Sequence, residues 1–407
     1  MHLQRLSVRN FRSIRKQDVE LAPITVIYGP NGAGKSSLLY APLVLRNLAI
    51  SPHQTVPSLF NLGFLNLGGF KEVVFGRQED ESLSLAISTK LRMSETEVPC
   101  EFRVTLNSQN AVEFAFSTRP FEDAAPFQVN VSTSLPYQLS QQVELDSTIL
   151  GLPLAWDGLN WKHSGSPPPD LTTRLAEILT ALNSPVERLR KISFAPVTRG
   201  FFQPQYSPVG VGRPLQKEQE LATILVTDRD LEAKVSTHLE RICGRQFRAR
   251  PELGTSIFTL QIIDPQRDLA TELVNDGFGV NQVVYMLALA LWRETSILII
   301  EEPEIHLHPT MIRKFLEELV GIAKLGKQFI ISTHSESLVS SCLGIVARRL
   351  VEPSFFACYL ALRERGDLQT QFERQQIEEN GQIQKGLKNF VEAELDDLKV
   401  FLGIQEH

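Results

Sequence analysis

Cysteine is scarce in this chain of 407 residues, and the four present, Cys100, Cys243, Cys342 and Cys358, stand far apart. None has the close spacing of a zinc site or a disulfide framework, so they read as reduced, mostly buried thiols. No stretch reaches the roughly 20 consecutive apolar residues of a membrane helix, and Met1-His2-Leu3-Gln4-Arg5 lacks the apolar core of a signal peptide. The expectation is a cytoplasmic protein without a membrane partner. Positive charge is not in excess: 41 Lys and Arg face 47 Asp and Glu, a net charge of −6, which excludes a wholly basic nucleic-acid coat. Two basic patches keep DNA as a candidate partner, Arg5, Arg9, Arg12, Arg15 and Lys16 at one place and Arg241, Arg245, Arg248 and Arg250 at another. Either patch alone reads more readily as a solvated face paired with carboxylates. Internal repeats and sustained apolar heptads are absent as well, which excludes a solenoid and an extended coiled coil.

What is present is ordinary globular composition, 43% apolar and 22% charged, in a chain long enough for one large domain with an insertion or for two to three domains. Residues 3 to 9 and 17 to 28 read as strands joined by Asn10 to Lys16, so that a small N-terminal sheet leads into the loop at Gly29. Ser37 to Leu48 reads as helix and Ser51 to Lys71 as loop. From Val73 to Val131 the alternation in Leu83-Ser-Leu-Ala-Ile and Phe102-Arg-Val-Thr-Leu indicates a β meander. Ser134 to Pro169 is weakly patterned, and its Ser164-Gly-Ser-Pro-Pro-Pro-Asp run reads as an exposed loop. Helices are expected at Leu171 to Leu189 and Leu215 to Cys243, and strands at Ile192 to Pro196 and Phe258 to Ile263. Beyond Asn281 a buried helix to Trp292, a strand Ser296 to Ile300, a helix Thr310 to Ala323 and a strand Phe329 to Ser332 imply a mainly parallel sheet covered on both faces.

Gly29-Pro30-Asn31-Gly32-Ala33-Gly34-Lys35-Ser36 fits G-x-x-x-x-G-K-[ST] without a mismatch. It lies between the strand Ile24 to Tyr28 and the helix from Ser37, where unpaired backbone N–H groups and the helix dipole converge on an anion. The chain is therefore expected to bind a nucleoside triphosphate through Asn31, Gly32, Ala33, Gly34, Lys35, Ser36 and Ser37. Lys35 would reach the β- and γ-phosphates, and the Ser36 hydroxyl would lie on Mg²⁺.

Ile297-Leu-Ile-Ile-Glu301-Glu302-Pro303 is an apolar strand that ends in two carboxylates. Carboxylates are costly to bury unless they meet a cation, and open α/β sheets bind ligands at the C-terminal ends of their strands. Glu301 is thus expected to hold Mg²⁺, and Glu302 to orient or deprotonate the attacking water. The bland alternative is that the pair merely caps a helix. The strand Phe329-Ile-Ile-Ser-Thr333 ends at His334, placing an imidazole at the same edge of the sheet.

These motifs, with Glu301-Glu302-Pro303-Glu304-Ile305-His306-Leu307-His308-Pro309 and Ser332-Thr333-His334-Ser335, resemble the ABC-type AAA ATPases of the RecF, SMC and OLD group. The resemblance covers roughly the first 75 residues and residues 190 to 345. It implies a lead-in strand at Leu6-Ser-Val-Arg-Asn-Phe-Arg-Ser13, a γ-phosphate-sensing switch histidine at His334 and a D-loop at Glu304 to Pro309. Asn275-Asp-Gly277-Phe278-Gly279-Val280-Asn281-Gln282 is similar to the signature motif, with Gly277, Gly279 and Asn281 as contacts to the nucleotide of a second protomer. Phe194-Ala-Pro196-Val-Thr-Arg199 is similar to a Pro-x-x-Arg element. Three positions depart from the pattern: Glu301 stands where Asp is commoner, Asn281 where Ser is common, and no glutamine loop is identified, although Gln78 lies near its expected place.

The resemblance implies an α/β fold: an ABC-type P-loop head with an N-terminal antiparallel β region, a mainly parallel sheet flanked by helices and a globular α+β insertion. The expected boundaries are 1–76 with Walker A, 77–265 as insertion, 266–350 with signature, Walker B, D-loop and switch histidine, and 351–407 as a C-terminal α/β extension. It also implies a homodimer that sandwiches two ATP molecules. OLD-type proteins continue into a Toprim nuclease with an Asp-x-Asp. The stretch from Ser335 to His407 offers Asp396-Asp397 on an expected helix, Leu387 to Leu402, and no Asp-x-Asp, so the expectation is no nuclease in this chain. The leading expectation is an ATP-hydrolysing dimer in a DNA-related process, phage defence or repair, with a separate effector such as a nuclease. The rivals are a switch or scaffold with negligible turnover and the ATPase subunit of a transporter.

Overall fold

Strands buried at every position are covered on both faces, and three of them, Ile24–Tyr28, Ile297–Glu301 and Gln328–Thr333, lie at the centre of this molecule. The computed structural model describes residues 2–93, 96–118, 127–138, 143–149, 152–163, 172–215, 217–364 and 366–383. The expected loop Ser164 to Asp170 and the expected helix Leu387 to Leu402 lie outside the described residues. The chain begins with β1 (Leu3–Phe11), β2 (Ile14–Glu20) and β3 (Ile24–Tyr28), followed by α1 (Lys35–Ile50) and the short α2 (Val56–Leu59) and α3 (Phe70–Val73). A meander follows, β4 (Leu83–Met93), β5 (Thr96–Leu106), β6 (Ala111–Thr118) and β7 (Phe127–Ser134), then β8 (Val143–Ile149), β9 (Leu152–Trp156), β10 (Trp161–His163) and α4 (Thr172–Arg190). Next come β11 (Ile192–Ala195), α5 (Glu218–Thr227), α6 (Arg229–Cys243), β12 (Gln246–Pro251), β13 (Phe258–Asp264) and β14 (Leu269–Glu272). The remainder is α7 (Phe278–Leu291), β15 (Ile297–Glu301), α8 (Pro309–Lys324), β16 (Gln328–Thr333), α9 (Glu336–Ala347), β17 (Phe356–Leu362) and β18 (Gln371–Gln375).

The central sheet runs β11-β15-β16-β3-β17-β18 and is parallel except for β18. Its two faces feed two separate cores, because successive side chains of a strand point to opposite sides. Ile27, Ile297, Ile299, Ile330 and Ala357 pack with α1 and the antiparallel sheet. Ile24, Val26, Leu298, Ile300, Phe329, Ile331 and Cys358 pack with the helices α6 to α9. The antiparallel sheet runs β2-β1-β4-β5-β6-β7, and smaller sheets are formed by β8 to β10 and β12 to β14. The architecture is α/β, an antiparallel and a mainly parallel sheet flanked by helices. Among the described residues no helix is long and apolar enough to cross a membrane.

Several expectations change. The expected strand 17 to 28 is two strands in two sheets. It breaks at Leu21-Ala22-Pro23, since Pro23 has no N–H to donate to a ladder; its carbonyl instead accepts from the Phe329 amide at 2.9 Å. The phosphate loop therefore ends a strand of the parallel sheet, not of the N-terminal sheet. The expected connection Asn10 to Lys16 is a tight turn, with Phe11 paired to Ile14 and Arg12 at φ 53°. The stretch Ser134 to Pro169 contains β8 to β10, short strands around buried Trp156 and Trp161. The helix Leu215 to Cys243 is broken at Asp228, whose Oδ1 accepts from the Leu231 amide at 3.0 Å and so caps α6. The boundaries at 76/77 and 350/351 each cut a sheet: β4 pairs with β1, and β17 pairs with β3. β11, inside the expected insertion, is the edge strand of the central sheet.

Candidate functional site

The phosphate loop is shaped by glycine. At Gly29 (φ 146°) a Cβ would overlap the Ala361 carbonyl, and at Gly34 (φ 90°) one would overlap the hydroxyls of Thr370 and Ser13. A side chain is excluded at both positions by neighbours that the fold brings in from β17, from the segment between β17 and β18 and from the β1–β2 turn. α1 begins at Lys35 with no side-chain cap and no acidic residue in its first turn, which leaves its N-terminal amides for an anion. Lys35 Nζ donates to the carbonyls of Gly29 (2.8 Å) and Pro30 (3.0 Å) and is buried. Burial lowers its pKa from the ordinary value, and Glu302, Glu304 and Glu301 oppose that shift. A cavity of about 450 Å³ is lined by Asn31, Gly32, Gly34, Lys35, Ser36 and Ser37, with Glu302, Arg12, Arg363 and Leu368 also on its walls. Ala33 is buried beneath the loop.

Glu301 meets α1 directly. The Ser36 hydroxyl donates to its Oε1 at 2.5 Å and the Tyr40 hydroxyl to its Oε2 at 3.0 Å; positions 36 and 40 fall on one face of the helix. Burial, then the Glu301 charge, pushes the Tyr40 pKa up, so the phenol remains a neutral donor. The Arg12 guanidinium lies over the Tyr40 ring at 5.2 Å. A hydroxyl beside one buried carboxylate fits Mg²⁺, which takes one or two carboxylates together with phosphate oxygens rather than an all-protein cage. Among the described residues no group of three or more His, Cys, Asp or Glu could hold a metal by itself.

Glu302 and His334 lie next to this pair. Glu302 has φ 48° and donates its amide to the Ser332 carbonyl at 2.9 Å, which fixes the turn after β15 to the end of β16. His334 Nδ1 is 3.3 Å from Glu302 Oε1 and 3.5 Å from Glu304 Oε1. Glu304 Oε1 also accepts from the Thr333 hydroxyl (2.6 Å) and the His334 amide (3.1 Å). Arg199 holds the turn from behind: Nη1 donates to the Glu301 carbonyl (2.6 Å), and Nη2 to the Glu302 carbonyl (2.8 Å) and to Gln282 Oε1 (3.3 Å). Its burial lowers its pKa to about 10, which leaves the guanidinium charged at neutral pH.

Gly277, Gly279 and Asn281 do not line this cavity. Gly277 precedes α7 and is exposed, as is Phe278 at 64%. At Gly279 a Cβ would come within 2.6 Å of the His306 carbonyl, so glycine lets α7 press on the D-loop segment. Asn281 is a correction to the expected nucleotide contact. It is buried, with Oδ1 accepting from the Phe201 amide and Nδ2 donating to the Phe201 carbonyl, both at 2.8 Å. Both polar ends are spent inside its own chain. Gln78 is exposed and does not line the cavity; Gly76, two residues earlier, does.

Several contributors were not read from the sequence, Tyr40, Thr370, Arg363 and Leu368 among them. Thr370 donates its amide to the Ser13 carbonyl at 2.7 Å and its hydroxyl to Ser13 Oγ at 2.8 Å, and Ser13 Oγ donates on to Ser37 at 3.1 Å. Arg363 and Leu368 line the cavity from the same segment. No local signal marks them, because they reach the loop only through the pairing of β17 with β3.

A family model described as "AAA domain, putative AbiEii toxin, Type IV TA system" matches residues 24–340. The chain is similar to the Old nuclease of Escherichia phage P2, with 23% identity over 358 residues, covering 84% of this chain and 58% of that protein. It is also similar to the OLD nuclease of Thermus scotoductus, with 25% identity over 350 residues, 82% of this chain and 59% of that one. The chain thus spans about three fifths of the length of these curated relatives. A 42-residue stretch is 55% identical to the DNA replication and repair protein RecF of Chloroflexus aggregans, covering 10% of this chain and 11% of that protein. Among solved structures, an SMC head bound to the C-terminal winged-helix domain of ScpA superposes with a TM-score of 0.51 at 12% identity, over 93% of this chain and 98% of that one. That likeness shows the fold.

Proposed function

The chain belongs to this AAA-domain family, as an ABC-type P-loop ATPase of the RecF, SMC and OLD group, and from that premise we propose that it hydrolyses ATP and couples the cycle to a DNA-related process. The observation that carries the reading is the convergence of Lys35, Ser36, Glu301, Glu302 and His334, from three strand ends, on one side of the phosphate loop. In this reading the α1 amides and the glycine loop bind the phosphates, and Lys35 exchanges its two carbonyl acceptors for β- and γ-phosphate oxygens. Ser36 and Glu301 would hold Mg²⁺, which offsets negative charge on the phosphates when bound. Glu302 takes a proton from the water that attacks the γ-phosphorus, the bond to the bridging oxygen breaks, and ADP and inorganic phosphate leave. His334 Nδ1 keeps the Glu302 carboxylate turned toward that water.

The second half of each site would come from another copy of the chain. Supporting this is the exposed face where Phe278 packs against His306, ring centroids 5.6 Å apart. This face joins the signature-like start of α7 to the D-loop, with Gly279 packed against the His306 carbonyl. ATP would close a twofold dimer and hydrolysis would open it. We also infer a separate effector such as a nuclease, in phage defence or repair; what supports a nuclease or repair context is that two relatives are named OLD nucleases and a third a DNA replication and repair protein.

ATP turnover of wild type against Glu302→Gln tests the enzyme assignment: wild type is expected to turn over and the variant not, and equal near-zero rates would overturn it. Sizing of Glu302→Gln with ATP, with ADP and with neither tests the dimer. ATP alone should produce an even-numbered assembly, and no shift would sink the sandwich.

A further inference from the structure

The far half of α1 and the edge strand β11 border a cavity of about 440 Å³ that shares no residue with the phosphate-loop cavity. Its size suits a small ligand. Arg46 lines it with a side chain only 4% exposed. The guanidinium donates to the Ile192 carbonyl at 3.0 Å and makes long contacts of 3.3 and 3.4 Å to Asn47 Oδ1. No carboxylate stands within ion-pair distance of it among the described residues. Burial lowers its pKa to about 10, and no neighbouring carboxylate opposes that shift. A buried cation without a counter-charge is costly, and beside an open cavity an incoming anion would offset that cost.

The rest of the lining has the same sense. Arg190, Lys191 and Arg213 also border the cavity and are exposed. Glu187 pairs with Arg190 at 2.9 Å and Glu294 with Arg213 at 3.0 Å, which leaves Arg46 and Lys191 in excess. The apolar walls include Phe64 stacked on Phe194 with centroids 4.3 Å apart, together with Tyr285 and Trp292. Flat rings offer stacking and cation–π surfaces to a planar ligand.

We propose that this cavity is a second anion site that binds a small molecule of mononucleotide size, carrying both a phosphate-like group and a flat aromatic ring. The assignment is independent of whether the phosphate loop hydrolyses ATP. The occupant would lie along β11, whose chain continues through Pro196 to Arg199 and so to the carbonyls of Glu301 and Glu302. The site therefore borders the strand that leads into the catalytic turn.

The test is calorimetric titration of the full chain with the phosphate loop filled by a slowly hydrolysed ATP analogue. The probes are the four nucleoside monophosphates, with adenosine as the uncharged control. At least one monophosphate is expected to bind once per chain, and AMP at least tenfold more tightly than adenosine if AMP is that ligand. Arg46→Met should weaken the bound monophosphate at least tenfold and Arg213→Ala at least threefold, with analogue binding unchanged. Absence of binding by all four monophosphates overturns the proposal, as does adenosine matching the tightest-binding monophosphate or wild-type affinity in both variants. If Arg46→Met does not fold, Arg213→Ala, on an exposed side chain, decides alone.

Discussion

Arg199 donates from Nη2 to the main-chain carbonyl of Glu302 at 2.8 Å, across 103 positions of sequence, and from Nη1 to the carbonyl of Glu301 at 2.6 Å. The conformation of the carboxylate turn, including φ 48° at Glu302, is thus held by a buried cation that reaches no phosphate-loop residue. Arg199→Lys keeps the charge but loses the fork that serves two carbonyls at once. Its expected cost is about 1–3 kcal/mol of stability for the buried carbonyl left unpaired, with a fall in turnover of at least tenfold. Urea unfolding and ATP turnover measured side by side check both.

Glu301→Gln and Glu302→Gln should fail differently. The first weakens the dependence of nucleotide binding on Mg²⁺, since a carboxylate becomes an amide beside Ser36 and Tyr40. The second leaves binding intact and slows the chemical step by roughly 10²–10⁴, the usual worth of a general base. Single-turnover kinetics over a Mg²⁺ series separate them, and identical profiles would remove the distinction drawn between the two carboxylates.

Gly34→Ala places a methyl group where the Thr370 and Ser13 hydroxyls lie and forces an L side chain to φ 90°. The expected strain is about 1–3 kcal/mol, with nucleotide affinity lowered at least tenfold. Thr370→Val, which keeps the shape but removes the hydroxyl bond to Ser13, should weaken affinity less and leave the melting temperature within a few degrees. Calorimetric binding on both variants is the measurement.

Asn281→Ala should behave as a folding mutation. Two buried bonds to the Phe201 backbone are lost, for about 1–3 kcal/mol each group left unpaired. Phe278→Ala, on an exposed ring, should leave unfolding unchanged and, in the Glu302→Gln background, lower the ATP-dependent assembly seen by sizing. A reversal of the two phenotypes would contradict the assignment of Asn281 to the core.

Three thiols should be silent in the folded protein. Burial pushes Cys100 and Cys358 up to about 12, and Cys342 well above its ordinary value of 9.0. At pH 8 a dithiobis-nitrobenzoate assay is expected to read Cys243 at most, and all four after unfolding. The native state holds these protons more tightly than the unfolded chain. Their contribution to stability is therefore complete below pH 9 and is lost as pH rises from 9 toward 12.

Legibility in the sequence followed the range of each interaction. Gly29 to Ser36 was readable because a strand, a turn and a helix N-terminus adjacent in sequence make the phosphate cradle. Glu302 and His334 were readable because each ends an apolar strand. Asn281 was assigned from resemblance to the wrong surface, since α7 is apolar on most of its circumference and its pattern did not say which side Asn281 and Gln282 would take. Both are buried, Asn281 against Phe201 and Gln282 against Arg199. The short strands β8 to β10 were missed because a few residues between turns carry too little alternation to register.

By itself the sequence determined the identity of the phosphate loop, the two carboxylates and the histidine, and the family to which they point, because these rest on residue type and local geometry. Only the tertiary structure decided that β17 lies beside β3 and brings Thr370 over Gly34, that Ser36 meets Glu301, and that Arg199 grips the carboxylate turn. Parallel strands have no local turn to set their order; their neighbours are chosen by how the apolar faces of the whole sheet are covered.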